Sequence, residues 1–139
     1  RTLMFYEGAR FHQERFNMYG DRLGDLASLV REGLQITVET YEQAKRDIAD
    51  CQFLIGEIYK DTPVMLVPAA TGPAPMGLGF TGDTRMNSPW TALGTPAIAI
   101  PMAVSDGLPL GLQLTADRNQ DSRVIRAAVR LQRILGRNS

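Results

Sequence analysis

Carbonyl, phosphoryl and metal chemistry each need particular side chains at workable spacing, and this chain supplies few of them. His12 is its only histidine in 139 residues. A histidine metal site or a Ser-His pair therefore cannot be built from sequence neighbours. His12 stands among Phe11, Phe16 and Tyr19 and reads as a packing or surface residue. The serines are Ser28, Ser88, Ser105, Ser122 and Ser139; none lies in a G-x-S-x-G turn and no two are adjacent. The only lysines are Lys45 and Lys60. A serine-lysine couple needs a strained, glycine-lined turn that presents the hydroxyl to a desolvated amine. No serine here has such a turn beside it. Cys51 falls on the apolar stripe of a helix and reads as a buried structural thiol, because a reactive thiolate needs an exposed, electropositive setting. The residues thus form no complete catalytic set.

Three stretches remain as candidates for binding. Gly77 to Gly82 spells G-x-G-x-x-G, the string that lets backbone approach a pyrophosphate when it joins a strand to a helix. Here Pro73 and Pro75 separate it from the preceding strand, so it reads as a loop. Arg123, Arg126, Arg130, Arg133 and Arg137 recur at helical spacing. They could face phosphate or RNA, but in a neutral chain they read as a solvated helix face. Thr81-Gly82-Asp83 and Asn87-Ser88-Pro89-Trp90-Thr91 bring a carboxylate, an amide, hydroxyls and an indole into one Gly/Pro-rich segment leading into a strand. Such a segment lines a pocket, or it is a structural crossover with Asp83 as a turn or helix cap. Both readings stand at this point.

The elements that would position these residues follow from periodicity. Residues 1–61 read as helical. Leu23, Leu26, Ala27, Val30 and Leu34 form one helix face, with Gly33 as the expected terminator. Thr37 caps the next helix, in which Tyr41, Ala44, Ile48, Cys51, Ile55 and Ile58 recur by three and four. Asp61-Thr62-Pro63 stops it. Over 63–136 the pattern becomes strand, loop, hairpin and helix. Val64 to Val67 and Ala97 to Ile100 read as buried strands, and Pro68 to Pro89 as a long loop. Asp106-Gly107 supplies a turn before a strand over Leu110 to Leu114. A final helix runs from Asp121 to Gly136, with Val124, Ala128, Leu131 and Leu135 inward. The class is α/β, a small sheet covered by helices, in a single domain or fragment spanning 1–139.

Composition agrees with an ordinary globular chain: 44% apolar, 22% charged and net charge zero. That is enough core for one domain but not two. No global charge draws the chain to nucleic acid or to an anionic membrane. The longest weakly polar run, Ala92 to Val104, is broken by prolines and too short to span a bilayer. No leader pattern is visible. A single cysteine excludes an internal disulfide and fits a reducing cytoplasm. The start at Arg1 rather than Met reads as a processed or truncated chain with residues missing upstream.

The segments Thr81-Gly82-Asp83, Pro89-Trp90-Thr91-Ala92-Leu93-Gly94-Thr95-Pro96-Ala97-Ile98, Ile100-Pro101 and Gly107-Leu108-Pro109-Leu110-Gly111-Leu112-Gln113-Leu114 resemble the C-terminal part of an amidase signature family enzyme. Gly33 to Arg46, Val64 to Pro68 and Glu7-Gly8-Ala9 extend the resemblance over nearly the whole chain. It implies an α/β/α enzyme that hydrolyses carboxamides to carboxylate and ammonia without metal or cofactor. Its nucleophilic serine, cis-serine and lysine would lie in a glycine/serine-rich segment upstream, and none of them maps here. The chain would be roughly the last third of such an enzyme, carrying a small mixed sheet with a β-hairpin.

The resemblance further implies that Asp83, Asn87, Trp90 and Thr91 contribute to the pocket for a small-molecule amide. Gly94, Pro96, Pro101, Gly107, Pro109, Gly111 and Gln113 would be structural, Gly94 by permitting close approach. No direct nucleic-acid or membrane partner is implied, and exposed sheet edges would let the isolated chain self-associate. A glutamyl-tRNA amidotransferase A-subunit relative ranks second, because the Trp90 segment looks more like free-standing amidases. An autonomous non-catalytic module is the third reading.

Overall fold

The computed structural model describes residues 1–102 and 107–136. Ser105, Asp106 of the expected turn, Arg137 and Ser139 lie outside the described residues. The chain forms two compact units, Arg1–Asp50 and Cys51–Ser139.

The first unit contains α1 (Thr2–Tyr19), a 3-10 turn (Gly20–Leu23), α2 (Asp25–Leu34) and the start of α3 (Val38–Asp61). Its core is small: Ala9 of α1 against Ala27, Val30 and Gly33 of α2. Small residues let two helix backbones approach closely. Gly33 does not terminate α2 as the sequence suggested; it lies inside the helix. A β-carbon there would overlap the Phe5 carbonyl oxygen and stand 2.5 Å from the Ala9 Cβ, so the glycine serves the helix crossing. Thr37 caps α3 as expected, its Oγ1 accepting the Thr40 N–H at 3.2 Å. Tyr41 stacks on Tyr6 with centroids 4.1 Å apart and donates its hydroxyl to Glu7 at 2.7 Å. That hydrogen bond raises the Tyr41 phenol pKa above its usual value, with burial and the Glu7 charge adding to it.

In the second unit the rest of α3 precedes β1 (Met65–Pro68), a 3-10 turn (Thr84–Met86), α4 (Ser88–Leu93), β2 (Ala97–Met102), β3 (Leu110–Thr115) and α5 (Asp121–Leu135). β3 is central, in the order β1-β3-β2. Both pairings are antiparallel: Met65 faces Thr115 in one, and Ala97 faces Thr115 in the other. The expected hairpin is therefore present as β2–β3. The expected mixed sheet is not, among the described residues. β1 and β2 run parallel to each other, but β3 lies between them and takes the hydrogen bonds of both.

The two outer strands are also less buried than their apolar runs suggested. Ala97 and Ala99 are exposed, and Leu66 is 51% exposed. One face of the sheet is covered by α5, where Ile100 and Leu114 pack with Ala116, Val124 and Ala128. Leu131 and Leu135 join at the margin. Pro101 on β2 carries no N–H, which suits a strand that, among the described residues, pairs on one side only.

Cys51 is exposed rather than buried. In this part of α3 the covered residues are Gln52, Ile55, Gly56 and Tyr59. That stripe is offset by one residue from the one read in the sequence, which turns the face by about 100°. Cys51, Leu54 and Ile58 consequently point outward.

Candidate functional site

The opposite face of β3 carries the features of most interest. Alternation puts Leu112 and Leu114 toward α5 and Gln113 and Thr115 on the other side. Gln113 and Thr115 are buried at 5% and 0% exposure, so their polar groups need partners. Gln113 Nε2 donates to the Met86 carbonyl at 3.1 Å. Thr115 Oγ1 lies 3.0 Å from the Tyr59 hydroxyl and donates to Thr95 Oγ1 at 3.4 Å. Thr95 Oγ1 in turn donates to the Trp90 carbonyl at 3.4 Å. Burial is the main cause that lifts the Tyr59 phenol above its usual pKa, against the lowering effect of the Thr115 hydrogen bond. Through these contacts β3 holds the segment from the 3-10 turn to the start of β2.

That segment is not the continuous loop read from the sequence. Pro89 sits in the first turn of α4, a position that tolerates a missing N–H. Trp90 and Thr91 are thus helical. Gly94 ends α4 at φ 68°, ψ 28°, in the left-handed region. Its role is conformational rather than one of close approach, since among the described residues the only neighbour within 4 Å of an added Cβ is Arg118 Nε at 3.9 Å. At Gly111 close approach does apply: an added Cβ would stand 2.9 Å from that of Ala69, beside the bond from Ala69 N–H to the Gly111 carbonyl. Pro96 accepts the Ala116 N–H through its carbonyl. Gly107 has φ 93°.

Two adjoining grooves open beside this segment. The larger, about 630 Å³, is bounded by residues 70–75 and 80–84, Asn87 and residues 109–111. The smaller, about 430 Å³, is lined mainly by Pro68, Met86, Met102 and Leu112, and shares Ala70, Thr71, Gly72, Leu110 and Gly111 with the first. Together they offer a polar mouth next to an apolar trough, the usual composition of a small-molecule site.

The four candidate pocket residues separate here. Asp83 and Asn87 border the larger groove, whereas Trp90 and Thr91 line neither. Asp83 caps the 3-10 turn: one carboxylate oxygen accepts the Arg85 N–H at 2.8 Å and the other accepts Arg85 Nε at 2.8 Å. The Arg85 side chain, and then its backbone N–H, hold the Asp83 carboxyl below the ordinary carboxylate range. Asp83 is therefore an ionised, engaged anchor, not a free base. The Asn87 carboxamide, by contrast, is exposed and has no partner among the described residues. Thr91 Oγ1 donates back to the Asn87 carbonyl at 3.4 Å, and the Trp90 indole N–H is buried without a protein partner among the described residues.

The Thr71–Pro75 wall lies in the long loop read from the sequence, but none of its residues was singled out for the pocket. Its signal was the length of the Pro68–Pro89 loop, since long loops in compact domains are often functional. The remaining motifs form no site. Residues 77–82 precede no long helix, and Leu78 within them is fully exposed. Arg123, Arg126, Arg130 and Arg133 are exposed as expected, but Ile125, Val129 and Ile134 are exposed among them, so this face of α5 is not purely polar. Lys45 and Lys60 are exposed and paired with Glu42 and Glu57. No cluster of metal-binding side chains occurs among the described residues, and no described helix is long and apolar enough to cross a membrane.

Comparison with known proteins gives a consistent result. No protein-family model matches the chain. A Mycobacterium tuberculosis protein named as a candidate amidase, AmiA2, is 31% identical over 138 residues, covering 85% of this chain and 28% of that protein. The glutamyl-tRNA(Gln) amidotransferase A-subunit of Tropheryma whipplei is 36% identical over 99 residues, covering 66% of this chain and 18% of its own length. Among solved structures, an amidase superposes with a TM-score of 0.85 at 23% identity, over 96% of this chain and 34% of that one. A bacterial aryl acylamidase of the amidase signature enzymes gives 0.64 at 19% identity, over 93% and 30%. The superpositions establish a shared fold. The chain spans under a third of the length of the curated relatives it matches.

Proposed function

Since the chain belongs to the amidase signature family, we propose that it is the C-terminal, pocket-forming portion of an enzyme that hydrolyses a carboxamide to carboxylate and ammonia. The observation that carries this reading is the 31% identity to AmiA2 along 85% of the chain. The nucleophile and its proton relay, a Ser-cisSer-Lys set, come from a segment N-terminal to Arg1. The pairing of Lys45 and Lys60 with exposed carboxylates supports that assignment, because neither amine is desolvated as a catalytic lysine must be. In this reading the amide enters the groove bordered by Asp83 and Asn87. Asn87 offers a donor and an acceptor, the complement of a carboxamide, and Asp83 with Arg85 keeps that wall in place. Trp90 and Thr91 act behind it, through α4. The isolated chain self-associates through the outer edges of β1 and β2.

Two measurements test the proposal. The coding sequence upstream of Arg1 should hold a glycine/serine-rich segment with a lysine, about a hundred or more residues earlier; without it the hydrolase reading fails. The chain alone should release no ammonia from simple aliphatic or aryl amides. Turnover by rigorously purified chain would refute the assignment of the chemistry to upstream residues. The amidotransferase reading has its own support in the 36% identity over 99 residues. It predicts ammonia release from glutamine that rises with a charged tRNA and partner subunits, where an amidase needs neither.

A further inference from the structure

We infer that Gln113 is the positioning residue for the Asp83–Asn87 wall of the groove. Among the described residues, its hydrogen bond is the one side-chain link between the 3-10 turn and the central strand. Its Nε2 reaches the carbonyl of Met86, the last residue of that turn. Asp83 caps the start of the turn, and Asn87 follows directly after Met86. Both groove residues thus hang on a three-residue turn that is too short to hold its own place. The other polar anchor, the Thr115–Thr95–Trp90 chain, ends at the Trp90 carbonyl within α4, and Thr91 couples that helix to the Asn87 carbonyl at the exit of the turn.

The bond is well protected. Gln113 is 5% exposed, so water competes poorly for the Met86 carbonyl. The donor is required rather than merely a polar atom, because the partner is a carbonyl and can only accept. Strand alternation fixes the direction: with Leu112 and Leu114 packed toward α5, Gln113 has no other face to occupy. The residue acts on substrate through the turn it holds, and not by contact. This role rests on the groove being the substrate site, but its placement component can be measured without catalysis.

Trp90, the only tryptophan, lies three residues beyond Asn87 and reports on the placement of α4. In the chain itself, Gln113→Met keeps the side-chain length and removes the donor. Trp90 emission should shift to the red and acrylamide quenching should increase, while helical circular dichroism is retained. Unchanged Trp90 emission and quenching would overturn the inference. Gln113→Glu supplies an independent readout should the methionine variant fold poorly. At neutral pH its carboxylate cannot donate and the shift appears; below the carboxyl pKa the protonated acid donates to Met86 and the emission returns. The unsubstituted chain run over the same pH range subtracts the titration of Asp83. A shift that does not reverse on acidification would also overturn the inference. In the full-length enzyme, Gln113→Met should raise KM by a factor of about 2–10, the range that one hydrogen bond spans, with kcat less affected. A Trp90 shift without any kinetic change would leave the positioning role standing and refute the groove as the substrate site.

Discussion

Replacing Gly33 by alanine sets two known effects against each other, and the sign of the result identifies the glycine's role. Alanine is favoured over glycine inside a helix by about 1 kcal/mol. A glycine that merely ended α2 would therefore be neutral or improved on substitution. In the structure the added β-carbon overlaps the Phe5 carbonyl oxygen, and stands 2.5 Å from the Ala9 Cβ and 2.7 Å from the Phe5 carbonyl carbon. Carbon–carbon contacts settle at about 3.5–4.0 Å, so α1 must withdraw by about 1 Å. Overpacking of this kind costs about 1–3 kcal/mol. The obstacle is backbone and not the end of a flexible side chain, which puts the cost in the upper part of that range. Allowing for the gain in helix propensity, the net loss is about 2 kcal/mol, or roughly 6–8 °C in Tm for a chain of this size. Gly56→Ala is the internal control, since nothing lies within 4 Å of its added Cβ, and it should be neutral or raise stability by up to about 1 kcal/mol. Urea titration followed by helical circular dichroism reads both. A Gly33→Ala chain as stable as the parent would refute the close crossing of α1 and α2.

Three further outcomes are expected. Gly94→Ala should cost about 1–2 kcal/mol, because residue 94 has a left-handed backbone, and Gly94→Asn should cost less; equal thermal midpoints for the two would contradict that geometry. Tyr59 has its pKa raised above 10.0 by burial, so above the unfolded value the unfolded chain releases a proton that the folded chain keeps. Stability should thus fall as pH rises from about 10 toward the folded value, and Tyr59→Phe should be weaker at neutral pH by about 0.5–1.5 kcal/mol yet show a shallower alkaline decline. Tyr41 is present in both chains, so the difference in slope isolates Tyr59; parallel pH profiles would refute the assignment. Finally, Cys51 is exposed and should react stoichiometrically with a thiol reagent in native buffer, where labelling that required denaturant would place it inside.

The elements with a strong period were legible in the sequence, and those whose burial depends on a neighbour were not. The inward residues of α5 and the β2–β3 hairpin could be read directly, because one apolar stripe and one turn define them. In α3 the stripe at Ile48, Cys51, Ile55 and Ile58 looked equally clear, and Ile48 and Ile55 are partly covered, but Cys51 and Ile58 are exposed. Yet the covered face is set by Tyr59, whose polar hydroxyl hid its burial until Thr115 supplied a partner. Val64 to Val67 and Ala97 to Ile100 looked buried on both faces because hydropathy cannot tell an outer strand from an inner one. α4 was hidden by Pro89, which usually signals a loop but also opens a helix. Of the pocket candidates, Asp83 and Asn87 share a groove, and Trp90 and Thr91, on α4, line neither groove. Gln113 was visible as part of a motif, but its partner is a backbone carbonyl, and no side-chain pattern could have pointed to Met86.

The buried hydroxyls between Tyr59 and Trp90 also fix an order of protons. The Trp90 carbonyl can only accept, so Thr95 must donate to it. Thr95 can then only receive from Thr115, which leaves Thr115 without a proton for Tyr59. The phenol must therefore be the donor at the head of the row, and all three O–H groups point one way. An ionised Tyr59 would have to draw a proton back from Thr115. The row would then reverse at Thr115 and lose its link to Thr95. One ionisation in α3 would in this way uncouple the Thr95 hydroxyl from the central strand, while the Thr95 N–H keeps its 3.1 Å bond to the Trp90 carbonyl.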